Sequence, residues 1–424
     1  MRYHKDGVAS PSQMVSLLQA ELGKSLRYFI LFCFVTAINC LFISESSIKR
    51  RRLDLGLHSA RSGVQKRLLS YQDKTQIVLN QLKKDPSKGQ GLSNIKNHIA
   101  HDQGIHLSRD DISHIMHTHD PEGFRTREPG AKKIPRTARN PVGIHERWAG
   151  DGHDKLYKIG FPIWAVVDDA SAKWLNIIEW VTSLSIYSCV SFLNTRVSFY
   201  IIVLTLVLRT EDILGIPLQF STDCGSETTQ LYGLVNALRE IFFSDCDIAV
   251  VRAYEYLRSI HNVAIEQSWL RLRVDFGDNA VIEYQKGPPF VNFDAEDPLH
   301  LQLSQWLWSK TLQLELNNFM AISNAKKMRK DSTKPGPSGA SRNQNFALHA
   351  EFGLTNELLR LNDGQLAIVS ELKDAIGGEA LIAFATPEFS ARAEEAYSSL
   401  GVKDLSIQNA WHVFETLLPL LAVE

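Results

Sequence analysis

The sequence predicts an α/β core between an all-helical N-terminal region and a helical C-terminal tail. Three observations carry this. Up to about residue 120, apolar residues recur at helical spacing, with serine caps and glycine stops. From Ile144 the pattern changes to short β-like runs, at 146–151, 161–167, 174–181 and 216–222, followed by helical patterns at 227–243 and 260–274. From 296 onward it is helical again, with turns at Gly353, Asp363-Gly364, Gly377-Gly378 and Gly401.

A chain of 424 residues exceeds one ordinary domain, so several units are expected. Hydrophobic content of 44% and charged content of 22% describe a globular protein rather than a disordered one. The net charge of −1 gives no global basicity for nucleic acid, but basic residues cluster locally: Lys49-Arg50-Arg51-Arg52, residues 124–139, and residues 324–330. The five cysteines form neither a disulfide framework nor a CxxC pair, which fits a reducing compartment.

In chain order, residues 11–23 read as an amphipathic helix ended by Gly23. Residues 46–56 read as a serine-capped basic helix ended by Gly56. Joined directly, these two would make a helix-turn-helix with 47–55 as its recognition helix, and Lys49, Arg50, Arg51 and Arg52 as DNA-binding residues. A second helical unit follows, with helices at 73–84, 92–101 and from 107; in the last, Ser108 and Asp111 form a capping box. His98, His101, His106, His114, His117 and His119 have no cysteine partner there and read as helix-face histidines rather than zinc ligands. Residues 120–143, rich in Pro, Gly and Arg, read as a basic linker.

Two apolar runs break this order. Residues 28–44 carry no charge and residues 181–208 carry only Arg196, so each approaches the length of a membrane span. Each interrupts a recognisable unit, which argues against a membrane protein. Both read better as translated non-coding insertions, such as unspliced introns.

Three acids stand where chemistry could gather. Asp151 and Asp223 each close a β-like run, and Glu266 lies on an amphipathic helix. Two strands and a helix can bring three carboxylates together to hold hard divalent cations. Such ions activate a water or hydroxyl and stabilise the leaving oxygen of a phosphodiester. Taken singly, Asp223 reads as an N-cap or turn residue, and Asp154 and Asp169 as turn acids. Cys224 lacks a second zinc ligand at the required spacing.

The stretch HERWAGDGHDKLYKIGFPIWAVVDDASAKWLNI resembles the start of a retroviral-type integrase core, as found in retrotransposon and DNA-transposon proteins. LQFSTDCGSET resembles that family's second acid motif, and RSIHNVAIEQSWLRLR its third. The resemblance covers about residues 145–275 and, more weakly, 296–340. It implies a ribonuclease H-like core, a mixed sheet flanked by helices, with Asp151, Asp223 and Glu266 as a D,D,E triad holding two Mg²⁺ or Mn²⁺ ions. It matches His261 and Asn262 to positions near the site that touch DNA or support the glutamate, and makes Asp168 a structural strand-turn acid. Arg271 and Arg273, on the Glu266 helix, are candidates for DNA phosphates. Ser244–Arg258 reads as extra loop relative to the family's spacing.

The expected organisation is a helix-turn-helix-like region at 1–60 interrupted by 28–44, a second helical DNA-binding-like unit at 61–120, and a basic linker at 121–143. A catalytic core at 144–290 carries the insertion 181–208, and a helical region at 291–424 holds a basic loop at 324–341. The resemblance implies metal-dependent DNA cleavage and strand transfer for a mobile element, acting on element ends and target DNA. It implies a homo-oligomer in the nucleus, without a small-molecule substrate. The rival reading is a catalytically degenerate or co-opted DNA-binding protein, and a third is a membrane protein with unrelated lobes.

Overall fold

A computed structural model describes residues 3, 6, 8, 10–29, 44–55, 57, 69–126, 140–153, 156–179, 204, 214–223, 228–246, 251–257, 262–331 and 337–422. The chain divides into two compact units, Met1–Val142 with Ala321–Thr355, and Gly143–Met320 with Asn356–Glu424.

In the first unit, α1 (Pro11–Phe29) starts on a proline and α2 (Glu45–Asp54) is capped by Ser44, whose hydroxyl accepts from Ser47 N at 3.2 Å. The cap thus falls earlier than the serines at 46 and 47 suggested, because Ser44 is the residue in extended conformation. None of the α2 side chains is buried. Next come α3 (Tyr71–Lys83), α4 (Leu92–Gln103) and α5 (Arg109–His119). Ser70 and Asp73 form a capping box on α3, Gly104 ends α4 at φ 66°, and Ser108 caps α5 through Asp111 N at 3.0 Å. Val78, Ile95, Ile99, Ile112, Ile115 and Met116 make a shared apolar centre for these three helices. Lys74 and Asp111 pair at 3.1 Å across it. Most of the linker, residues 127–139, lies outside the described residues.

The second unit is built on a five-stranded mixed sheet flanked by helices. Its strands are β1 (Arg147–His153), β2 (Ile163–Asp168), β3 (Trp174–Glu179), β4 (Gln219–Thr222) and β5 (Tyr254–Tyr256), in the spatial order β3-β2-β1-β4-β5. β2 runs antiparallel to both β1 and β3; β4 runs parallel to β1, and β5 parallel to β4. Every β2 residue is buried, so both sheet faces are covered. The helices are α6 (Thr229–Phe242), α7 (Val263–Leu272), α8 (Asp278–Gln285), α9 (Pro298–Ala325, in this unit to Met320), α10 (Asp363–Ala375), α11 (Pro387–Ser399) and α12 (Ala410–Leu421).

Side-chain alternation along the strands divides the core into two. One face presents Ala149, Ala165 and Val167 to Ile265 and Trp269 of α7 and to α9 and α12. The other presents Trp148, Trp164 and Phe220 to Leu231 and Val235 of α6. The tail is part of this core: Trp411 donates from Nε1 to the carbonyls of Tyr284 at 3.0 Å and Glu283 at 3.2 Å.

One expectation is corrected. Residues 244–258 are not wholly extra loop, because Tyr254–Tyr256 forms β5 at the sheet edge. Three residues are too few to show alternation in a sequence. The apolar runs lie largely outside the described residues; Leu204 is buried beside Ile216, Leu238 and Val369. Among the described residues, no helix is long and apolar enough to cross a membrane.

Candidate active site

The parallel register of β1 and β4 sets the site. Ala149 pairs with Ser221, and continuing by two residues points Asp223, the first residue after β4, toward Asp151, which lies inside β1 rather than closing it as the sequence suggested. Both acids share the alternation of Ala149 and Ser221, so they belong to the face that α7 covers. On α7, Ile265, Trp269 and Leu272 are buried while Gln267, Leu270 and Arg271 are exposed. Glu266 is half-buried, one turn before Trp269.

Charge links the three acids. Burial pushes the Asp151 carboxyl up to about 7, and the negative charges of Asp223 and Glu266 add to that rise. Against this, the Trp269 Nε1–H donates to Asp151 Oδ2 at 2.8 Å and favours the ionised form. The main chain at Asp223 is pinned: its carbonyl accepts from the Thr222 hydroxyl at 2.9 Å and the Thr228 hydroxyl at 3.3 Å. Having donated there, Thr222 Oγ1 accepts from the Tyr254 hydroxyl at 2.6 Å, which ties β5 to the end of β4.

The other sequence-predicted residues fall in different places. Asn262 is buried at the start of α7, and among the described residues its Nδ2 has no hydrogen-bond partner. His261 lies outside the described residues, as do Asp154, Cys224 and Glu227. Arg271 is exposed on α7, and Arg273 stands 4.0 Å from Asp278. Asp168 is fully buried and holds the β2–β3 turn, accepting from His145 N at 2.7 Å, Ser171 N at 2.8 Å and Ser171 Oγ at 2.6 Å. In the first unit, Lys49, Arg50 and Arg51 are exposed and Arg52 is half-buried.

The donor set, all carboxylate oxygen, is of the kind that suits a hard cation; the Asp151 carboxyl is raised first by burial, with the charges of Asp223 and Glu266 adding to it. Among the described residues, no three His, Cys, Asp or Glu side chains are arranged to close around a metal ion.

Sequence reasoning missed Trp269. The available signal was an indole three residues beyond Glu266, on the same helix face, whose N–H needs a partner once buried.

No protein-family model matches the sequence, and no curated protein is significantly similar to it. Fold and site define an α/β protein with a five-stranded mixed sheet flanked by helices, carrying Asp151 inside one strand and Asp223 just after its parallel neighbour.

Proposed function

We propose that the second unit is a polynucleotidyl transferase core of integrase or transposase type, cutting and joining DNA for a mobile element. The observation that carries this is geometric: the parallel register of β1 and β4 directs Asp223 toward Asp151, and the Trp269–Asp151 hydrogen bond brings the Glu266 helix to the same strand. The sheet supports it: three antiparallel strands followed by two parallel ones is the arrangement expected of a ribonuclease H-like core.

In this reading Asp151, Asp223 and Glu266 hold two Mg²⁺ or Mn²⁺ ions. When bound, the ions polarise the scissile phosphate and activate the attacking oxygen. The chain's own part is to fix the acids: β1 and β4 deliver two of them from a rigid sheet, and α7 delivers the third. Arg271, exposed on α7, faces solvent where a phosphate could meet it. Lys49, Arg50, Arg51 and Arg52 on α2 and the α3–α5 unit bind DNA, with the helix-turn-helix arrangement belonging to this proposal. Two copies acting on paired element ends would make a homo-oligomer, at work in the nucleus.

The test is Mn²⁺-dependent nicking and strand transfer on oligonucleotide substrates. Asp223→Asn and Glu266→Gln should each abolish both reactions while leaving DNA binding intact. Full activity in Asp223→Asn would refute the assignment. A wild-type chain that binds DNA yet never cuts it would point to a co-opted binding protein.

A further inference from the structure

We propose that Trp269 is a positioning residue that sets the orientation of the Asp151 carboxylate for cation binding and couples the Asp151 strand to the Glu266 helix. This rests on the metal-dependent reading above. Its basis is geometric. The indole N–H of Trp269 reaches Asp151 Oδ2 at 2.8 Å. The indole itself cannot swing, being buried and packed edge-on against Trp174 at 5.4 Å and 66°. Trp174 in turn contacts Phe319 of α9 at 5.9 Å. One oxygen of the acid is thereby held by a rigid group.

The chemistry of the donor decides what this contact is for. A lysine or arginine beside Asp151 would neutralise it and compete with a divalent cation. An indole N–H donates one hydrogen bond, accepts none and carries no charge. It orients the carboxyl group without placing a positive charge beside it to compete with a cation. Donors that hold a ligating group by its other side act on metal sites in the same way, and their loss weakens metal binding by about 10- to 100-fold. Trp269 also lies one helical turn from Glu266, so the contact that orients the first acid also ties it to the helix that carries the third.

The experiment compares the full-length wild type with Trp269→Phe, which keeps an aromatic ring and removes the donor. Mn²⁺ affinity is read directly by isothermal titration, alongside the thermal midpoint and DNA affinity. The expected result is a loss of about 10- to 100-fold in Mn²⁺ affinity with DNA affinity unchanged. Equal Mn²⁺ affinity in the two proteins overturns the proposal. A wild type that binds no Mn²⁺ overturns the metal reading itself, which is visible without the variant.

Should Trp269→Phe fail to fold, Asp151→Ala carries the test. In ¹⁵N-tryptophan-labelled protein, one exchange-protected indole signal should lose its protection in that variant. Protection that survives the loss of Asp151 overturns the proposal.

Discussion

Trp164 and Phe220 stack with their ring planes 3° apart and centroids 6.2 Å apart, directly against Gly150 of the central strand. A Cβ on residue 150 would lie 2.7 Å from the Trp164 ring and 2.9 Å from that of Phe220. Both rings are buried in a sheet face closed by α6, so neither can withdraw. Gly150→Ala should therefore destabilise the protein by about 1–3 kcal/mol, the usual cost of overpacking a tight core. Chemical denaturation checks this, and an unchanged unfolding midpoint would refute it. Because residue 150 precedes Asp151, the variant should lose activity with stability.

The raised Asp151 carboxyl makes a pH prediction. Its folded value is about 7 against an ordinary 3.8, with burial the first cause and the charges of Asp223 and Glu266 next. The folded state thus binds a proton that the unfolded state has released. The resulting stabilisation is fully present below about pH 4 and is lost as pH rises to about 7. Asp151→Asn should remove that part of the slope, read as the urea midpoint across this range. An identical slope in both proteins would count against it. Since a cation must displace the same proton, Mn²⁺ should raise the melting temperature more at pH 8 than at pH 5.

Glu179, at the end of edge strand β3, is a second buried acid with a different environment. Burial pushes its carboxyl well above the ordinary range, and among the described residues Oε2 has no hydrogen-bond partner. Its stabilising proton is retained well above the ordinary glutamate range and lost on further rise in pH. Glu179→Gln removes the ionisable group with little change of shape. The variant should match or exceed wild type in stability near neutral pH and lose less of it in alkali. A variant less stable than wild type by more than about 1 kcal/mol at pH 8 would mean the carboxyl has an essential partner.

These groups differ in how legible they were in the sequence. Asp223 could be found because an acid directly after a β-like run stands out, and Asp168 only through the resemblance; Asp151 reads as closing its run, yet β1 continues past it to His153. Trp269 could not be found, since its partner lies 118 positions earlier and only the packing of α7 on the sheet joins them. β5 was invisible because Tyr254–Tyr256 owes its strand conformation to pairing with β4 rather than to any pattern of its own. The requirement for glycine at 150 likewise arises from two rings brought in by other strands. Helix caps in the first unit were readable to within a few residues because the capping bonds are local: Ser108 with Asp111, Ser70 with Asp73. Which segments share a core was less readable. The tail packs on the α/β unit through Trp411, while Ala321–Thr355 groups with the N-terminal residues.

The basic run on α2 permits a clean separation of binding from chemistry. Lys49, Arg50 and Arg51 are exposed, and no residue of the helix is buried, so replacing all three with alanine should leave the fold intact. Alanine also favours helix, which removes propensity as a cause of any loss. If these side chains sit on phosphates, each contact releases counterions, and the slope of log affinity against log salt should become shallower by about 3. The variant should bind DNA more weakly at all sequences alike, yet at saturating DNA its cleavage rate should equal that of wild type. A salt slope identical to wild type would mean that α2 is a solvated surface helix, and would move the DNA-binding role to the α3–α5 unit.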